Sequence, residues 1–208
     1  MSDYTLDDCA VDLAVSRETV ERFKALGDHL IKWNERINLV SKTTLSDMWR
    51  RHFLDSGQLA AQIPASARSL ADLGSGAGFP GLVLAAMTDL EIHLIESDTR
   101  KSVFLREGAR AIGRKVTVHQ QRIESLQGLA VDVVTARALA PVESLLEYAE
   151  PLLKKDGIAL FLKGNTLETE LTDSKKSWHI ESTQSRSISD PSGCILKVEA
   201  FRRVRDRK

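Results

Sequence analysis

Cysteine is nearly absent from this chain of 208 residues, which carries only Cys9 and Cys194. Two thiols are too few for a disulfide framework, and free thiols in a reducing cytoplasm are expected. No apolar run approaches the roughly 20 residues of a membrane span. The opening Met1-Ser-Asp-Tyr-Thr-Leu-Asp-Asp8 is acidic and lacks a signal-peptide pattern, so a cytoplasmic, non-membrane protein is expected. The five histidines, His29, His52, His93, His119 and His179, show no ligand spacing, and no metal site is expected. Repeats and low-complexity tracts are missing, no exposed heptad seam argues for a coiled coil, and a monomer is expected. Net charge is missing too: 29 Lys and Arg balance 29 Asp and Glu. Bulk charge therefore does not announce a nucleic acid partner.

The distribution of charge is less even. Asp3, Asp7, Asp8 and Asp12 crowd the N-terminus, while basic residues cluster at Arg50-Arg51, Arg100-Lys101, Arg106 to Lys115 and Arg202 to Lys208. A polyanion could meet one basic face. Any one cluster taken alone reads more readily as a solvated helix face or a frayed tail.

The most informative stretch is Leu70-Ala-Asp-Leu-Gly-Ser-Gly-Ala-Gly-Phe-Pro-Gly81. It reads as a short strand, a glycine turn and a helix start. Gly74, Gly76 and Gly78 let the backbone turn tightly and approach a ligand, because no Cβ intervenes. The string Gly76-Ala-Gly-Phe-Pro-Gly81 fits the dinucleotide fingerprint literally, and Glu96 follows about twenty residues on, as that fingerprint asks. The register argues otherwise. The strand ends at Gly74, so the turn opens on Gly74-Ser-Gly-Ala-Gly78. A dinucleotide needs room for its pyrophosphate over the first helical turn. S-adenosylmethionine has no phosphate, and a carboxylate such as Asp72 beside the turn suits its ammonium or the amides around it. A tight turn with no ligand is the plain alternative.

Elsewhere the pattern sorts into two parts. Residues 16–37 carry Val20, Phe23, Leu26, Leu30, Trp33 and Ile37 at helical spacing, with Ser16 as N-cap. A second helix is expected over about 45–62, ended by Pro64. These form a helical cap over residues 1–65. From 66 to 208 strands and helices alternate: strands at 70–73, 92–95, 116–119, 131–136 and 158–163, helices at 81–87, 101–112 and 142–153. This order predicts an α/β fold with a mostly parallel sheet and helices on both faces. A short helix after 164 and two strands near 179–187 and 194–201, parted by Asp190-Pro-Ser-Gly193, complete it as an antiparallel edge hairpin.

In open α/β sheets ligands sit at the carboxyl ends of the strands. Glu96 ends the second strand and can accept both hydroxyls of an adenosine ribose, with Asp98 as its rival. Ile123 and Glu124 follow the third strand, where an adenine ring would lie, and Arg122 precedes them. Arg137 ends the fourth strand and Lys163 the fifth. Two cations facing a cleft suit a phosphate or a base. A structural salt bridge is the alternative.

Together these pieces resemble one family: the bacterial small-subunit ribosomal RNA guanine-N7 methyltransferases (methyltransferase G, or glucose-inhibited division protein B). The resemblance rests on Asn38-Leu-Val-Ser41, Arg51-His-Phe-Leu-Asp-Ser56, Asp72 to Gly81, Lys101-Ser-Val-Phe-Leu105, Arg122-Ile-Glu124, Arg137-Ala-Leu-Ala140 and Lys163-Gly164, in that order. It covers about residues 30–165, and every motif position matches. The glycine motif is shared by many methyltransferases; the Asn-Leu-x-Ser and Arg-His-x-x-Asp-Ser pieces are far more specific. The resemblance implies a Rossmann-like fold and transfer of a methyl group from S-adenosylmethionine to N7 of one guanine in 16S ribosomal RNA or the small subunit. It implies donor contacts at Gly74, Phe79, Ile123, Glu124 and Arg137. It also implies that Arg122, Arg137 and Lys163 face RNA or the target base, with Arg137 and Lys163 positioning the substrate.

The residues suit that chemistry. Guanine N7 has a lone pair and no proton to remove, so alignment matters more than a base. A cysteine nucleophile for pyrimidine carbon would sit near the strand ends, not at Cys9 or Cys194. No two prolines adjoin, so the Pro-Pro-aromatic turn of adenine amino-group methylases is missing. An RNA-binding assembly factor without catalysis and a nicotinamide-dependent oxidoreductase are the competing readings. The first requires that no donor binds. The second requires a substrate domain that the chain does not show.

Overall fold

The computed structural model describes residues 4–204; the tail residues Arg205, Arg207 and Lys208 lie outside them. Seven strands form one sheet: β1 (Ser69–Leu73), β2 (Glu91–Ile95), β3 (Val116–His119), β4 (Val131–Arg137), β5 (Leu153–Lys163), β6 (Trp178–Arg186) and β7 (Cys194–Arg203). Their order is β3-β2-β1-β4-β5-β7-β6. The first five run parallel, and β7 is antiparallel to both β5 and β6. The chain order reverses between β1 and β4, which opens a crevice at their carboxyl ends. The expected hairpin is present, but β7 inserts beside β5 and leaves β6 alone at the edge.

The helices are α1 (Leu6–Asp12), α2 (Arg17–Asn34), α3 (Lys42–Leu45), α4 (Asp55–Gly57), α5 (Gly81–Met87), α6 (Thr99–Ala111), α7 (Val142–Ala149) and α8 (Leu167–Ser174). Every residue of β1 is buried, as a parallel strand covered on both faces requires. Successive residues feed opposite layers. Leu70, Val133 and Leu160 pack with α2, α5 and α6, while Ala71, Val134 and Phe161 pack with α7 and α8. Phe23, Leu26 and Leu30 of α2 share the first layer with Leu82 of α5 and Phe104 of α6. Each such buried side chain contributes about 1.5–3 kcal/mol. The described residues before 66 are thus built into the same core as the sheet.

Local chemistry sets the helix ends. The Ser16 hydroxyl accepts the Thr19 N–H at 3.3 Å and starts α2. The helix stops at Asn34, three residues short of the expected end. There the side-chain Oδ1 accepts the N–H groups of Leu39 and Val40 at 2.9 and 3.0 Å and turns the chain away. Helix α7 ends at Ala149, not at 153, because Pro151 cannot continue it. The expected helix over 45–62 is broken. Short α3 gives way to a π-helical stretch Trp49–Leu54, then α4, then a 3-10 turn over Gln58–Gln62. Among the described residues no helix is long and apolar enough to cross a membrane.

Candidate functional site

The strand β1 runs straight into the glycine turn. Gly74 and Gly76 adopt φ of 60° and 52°, the left-handed region that side chains disfavour. The Ser75 N–H donates to the Ile95 carbonyl at 2.9 Å, and the Gly76 N–H donates to Glu96 Oε2 at 2.9 Å. The other oxygen, Glu96 Oε1, accepts the Asp98 N–H at 2.8 Å. Glu96, at the end of β2, therefore ties the turn to the segment that opens α6. Asp98 is committed elsewhere: its side chain caps α6 by accepting the Lys101 N–H at 2.9 Å.

Beside this turn lies a cleft of about 320 Å³, within the range of small-molecule sites. Gly74, Gly76, Glu96, Arg122, Ile123, Glu124 and Arg137 all line it, as do Leu139 and Tyr148. A Cβ on Gly76 would meet nothing nearer than the Gly74 carbonyl at 3.6 Å, so that side of the turn is open. Seven of the residues singled out in the sequence converge here.

Three other residues expected to contact the donor do not line it. Asp72 is fully buried beneath the turn. Its Oδ1 accepts the Thr135 hydroxyl at 2.8 Å and its Oδ2 accepts the Gly81 N–H at 3.2 Å. It joins β1 to β4 and to the start of α5, and offers nothing to an ammonium in the cleft. Burial pushes its carboxyl up to about 6, against the hydrogen bonds from Thr135, Ser75 and Gly81. Gly78 (φ 81°) turns the chain below the cleft, where a Cβ would press on Leu82. Phe79 stacks on His52 with ring centroids 4.9 Å apart and lies under the Arg137 guanidinium at 5.1 Å. It is a floor for Arg137, not part of the cleft wall.

Arg137 reaches from β4 to the N-terminal segment. Its Nη1 donates to the Arg51 carbonyl at 3.0 Å and to Asp55 Oδ2 at 3.2 Å, and its Nη2 donates to His52 Nδ1 at 3.1 Å. Arginine only donates, so His52 Nδ1 accepts and the proton resides on Nε2. Burial, then the charges of Arg137 and Arg51, push His52 down to about 3, so the ring is neutral at ordinary pH. The π-helical stretch serves this contact. The Asp55 N–H bonds to the Arg50 and His52 carbonyls, so the Arg51 carbonyl, four residues back, accepts Arg137 instead. Neither His52 nor Asp55 was expected from the sequence to take part. The signal available was their place in the Arg51-His-x-x-Asp-Ser56 motif, where the two lie one helical turn apart.

A second cavity of about 470 Å³ opens on the other side of Arg137. Arg51, His52, Asp55, Lys163, Ser189 and Asp190 line it, and Arg137 and Ala138 line both spaces. Ala138 holds φ of 51° between them. Lys163 faces this cavity with a committed ammonium. Its Nζ lies 2.5 Å from Glu170 Oε2 and donates to the Ala140 carbonyl at 3.1 Å. The salt bridge weighed as an alternative is present, and one of the three ammonium protons is left over. Arg122 is exposed at the cleft rim.

The model of the rRNA small subunit methyltransferase G family matches residues 19–194. A ribosomal RNA small subunit methyltransferase G from Rhodospirillum rubrum is 52% identical, covering 94% of this chain and 97% of its own. That of Paramagnetospirillum magneticum is 53% identical over 92% and 93%. Among solved structures, the ribosomal protein L11 methylase of Lactobacillus delbrueckii subsp. bulgaricus superposes with a TM-score of 0.59, at 13% identity, over 74% of this chain and 78% of that one. An O-methyltransferase from Bacillus cereus in complex with SAH gives 0.55, at 14% identity, over 84% and 90%. These last two likenesses are of fold: a Rossmann-like methyltransferase sheet with helices on both faces. The sequence match spans both the glycine turn and the segment that holds Arg137, and on it the chain belongs to the ribosomal RNA small subunit methyltransferase G family.

Proposed function

We propose that this protein methylates N7 of one guanine in 16S ribosomal RNA, using S-adenosylmethionine. The observation that carries the reading is the pair of spaces joined at Arg137 and Ala138, one beside the glycine turn and one walled by cations. The residues of the first fit the donor. Glu96 keeps lone pairs for ribose hydroxyls beyond the two N–H groups it accepts. The open flank of Gly76 leaves room for close approach, and Ile123 and Glu124 offer an apolar face beside a polar group to an adenine. When bound, S-adenosylmethionine supplies an electrophilic methyl group on a sulfonium.

The acceptor guanine belongs in the second cavity. Its N7 needs no base, and none of the lining groups is asked to act as one. Arg137 and the spare proton of Lys163 position the base, through O6 in the way arginine reads guanine. Arg122 at the rim meets RNA. Asp72 acts at one remove by fixing the glycine turn to β4 and α5. The N-terminal helical segment supplies Arg51, His52 and Asp55 to the acceptor side. A monomer in the cytoplasm suits the buried Cys9 and half-buried Cys194, both free thiols.

The test is direct. Purified protein is incubated with small ribosomal subunits from cells lacking it, with labelled S-adenosylmethionine, and the RNA is digested for mass spectrometry. One new N7-methylguanosine in 16S ribosomal RNA is expected. Label on another base, or none, overturns the reading.

A further inference from the structure

Three cations face the acceptor cavity, and two are already spoken for. Arg137 makes three hydrogen bonds with its side chain 19% exposed, and Lys163 is paired with Glu170 at 10% exposed. Arg51 differs. Its side chain is 44% exposed, and its one ion pair is with Asp190, Nη1 to Oδ2, at 2.5 Å. Asp190 sits in the β6–β7 loop, across the cavity.

That loop does not depend on Arg51. Asp190 Oδ1 accepts both the N–H and the hydroxyl of Ser192, at 2.9 and 2.8 Å, and the Asp190 carbonyl accepts the Gly193 N–H at 2.9 Å. From the helical segment, Gln58 holds Ser187 and Ile188 at 2.9 Å each, and Asp55 Oδ1 accepts the Ser189 hydroxyl at 2.6 Å. The loop stays formed when Arg51 lets go. An exposed ion pair is a weak tie, whereas arginine and phosphate meet through two parallel charged hydrogen bonds. A standing carboxylate at the mouth of a cavity meant for a polyanion also works against binding unless that carboxylate is displaced from its cation.

We propose that Arg51 takes a backbone phosphate of the RNA at the target nucleotide, and that Asp190 holds its place in the free protein. The exchange rests on the RNA reading of the acceptor cavity. It adds a phosphodiester contact that fixes the strand at the cavity mouth, on the side away from Arg122. Only the side chain of Arg51 is involved, so its main-chain contact to Arg137 persists in side-chain variants.

The experiment uses a fluorescent guanine-containing single-stranded RNA oligonucleotide, titrated with the full protein over a salt series. Arg51→Ala is expected to weaken binding about tenfold and to reduce the slope of log affinity against log salt by about 0.7, the value of one single-strand phosphate contact. Arg51→Lys recovers part of both. Asp190→Asn is expected to tighten binding about threefold, because the competing charge is gone. Calorimetry with S-adenosylmethionine checks that all three variants keep the donor cleft. An unchanged salt slope in Arg51→Ala overturns the proposal. So does weakening by Asp190→Asn as large as that by Arg51→Ala, which would make the pair a structural latch. A wild-type protein that shows the Arg51 phosphate slope yet transfers no methyl group overturns the reaction and leaves this contact standing.

Discussion

Arg137 donates to the main-chain carbonyl of Arg51 at 3.0 Å, across 86 residues of sequence. A regular α-helix would give that carbonyl to the Asp55 N–H; the π-helical step sends Asp55 to Arg50 and His52 instead. The irregular helix and the buried guanidinium thus support one another. Asp55 and the His52 ring complete a socket that fixes Arg137 between the two cavities.

Lysine cannot fill that socket, because it is a point charge without a planar fork. Arg137→Lys is expected to lower kcat for methyl transfer about a hundredfold. Unsatisfied Asp55 and His52 should cost about 1–3 kcal/mol in urea unfolding. Full activity in this variant would remove Arg137 from the site.

Two buried groups give stability opposite pH slopes. His52 has a folded value depressed to about 3, so its contribution is complete above about 6.5 and is lost as pH falls below that. Asp72 has a folded value raised to about 6. The native state then holds the extra proton, and stability falls as pH rises from about 3.8 to about 6. Each slope approaches about 1.4 kcal/mol per pH unit inside its window. His52→Asn keeps an acceptor for Arg137 and should remove the first slope. Asp72→Asn can still accept from Gly81 and donate to Thr135 Oγ1, and should remove the second. Asp72→Ala leaves two buried donors unpaired and should cost about 2–4 kcal/mol. Unfolding curves across pH 3.5 to about 7.5 check all three.

Gly76 separates binding from folding. Space is open at its Cβ position, so Gly76→Ala meets only the left-handed backbone penalty of about 1 kcal/mol. Affinity for S-adenosylmethionine should nevertheless drop about tenfold or more, since the methyl group intrudes where the ligand must approach the chain. Calorimetry and thermal melting on the same sample read both quantities.

Lys163→Met isolates the spare ammonium proton. Alone it strands Glu170 in a poorly solvated place and should destabilise by about 3 kcal/mol. Adding Glu170→Gln removes the stranded charge while keeping an acceptor for the Val142 N–H, which Glu170 accepts at 2.9 Å. Stability should largely return while methyl transfer stays impaired. Recovery of both would confine Lys163 to a structural role.

The sequence was most legible where local rules govern. Ser16 capping α2, the glycine turn, and the alternation that gives β1 to β5 all follow from neighbours along the chain. Side-chain direction at strand ends was harder. Asp72 and Glu96 both looked ready for a ligand, but in a sheet covered on both faces an acid can point into the packing layer, and Asp72 does. Phe79 follows the glycine turn as the family's donor contact would, yet its ring is drawn toward His52 and Phe53. The break at residues 49–54 had no local cause to read. Its freed carbonyl meets Arg137, a partner that only the folded chain brings there, and the same holds for the pairing of Asp55 with Ser189.

The β6–β7 loop reaches the acceptor side from late in the chain: Ser189 lies 134 residues beyond the Asp55 it bonds. A newborn polypeptide that has emerged through β5 already owns the turn, Glu96 and the nook beside them. The lining of that nook is thus synthesised whole by Tyr148, whereas its neighbour across Arg137 gains its last wall only with Gly193.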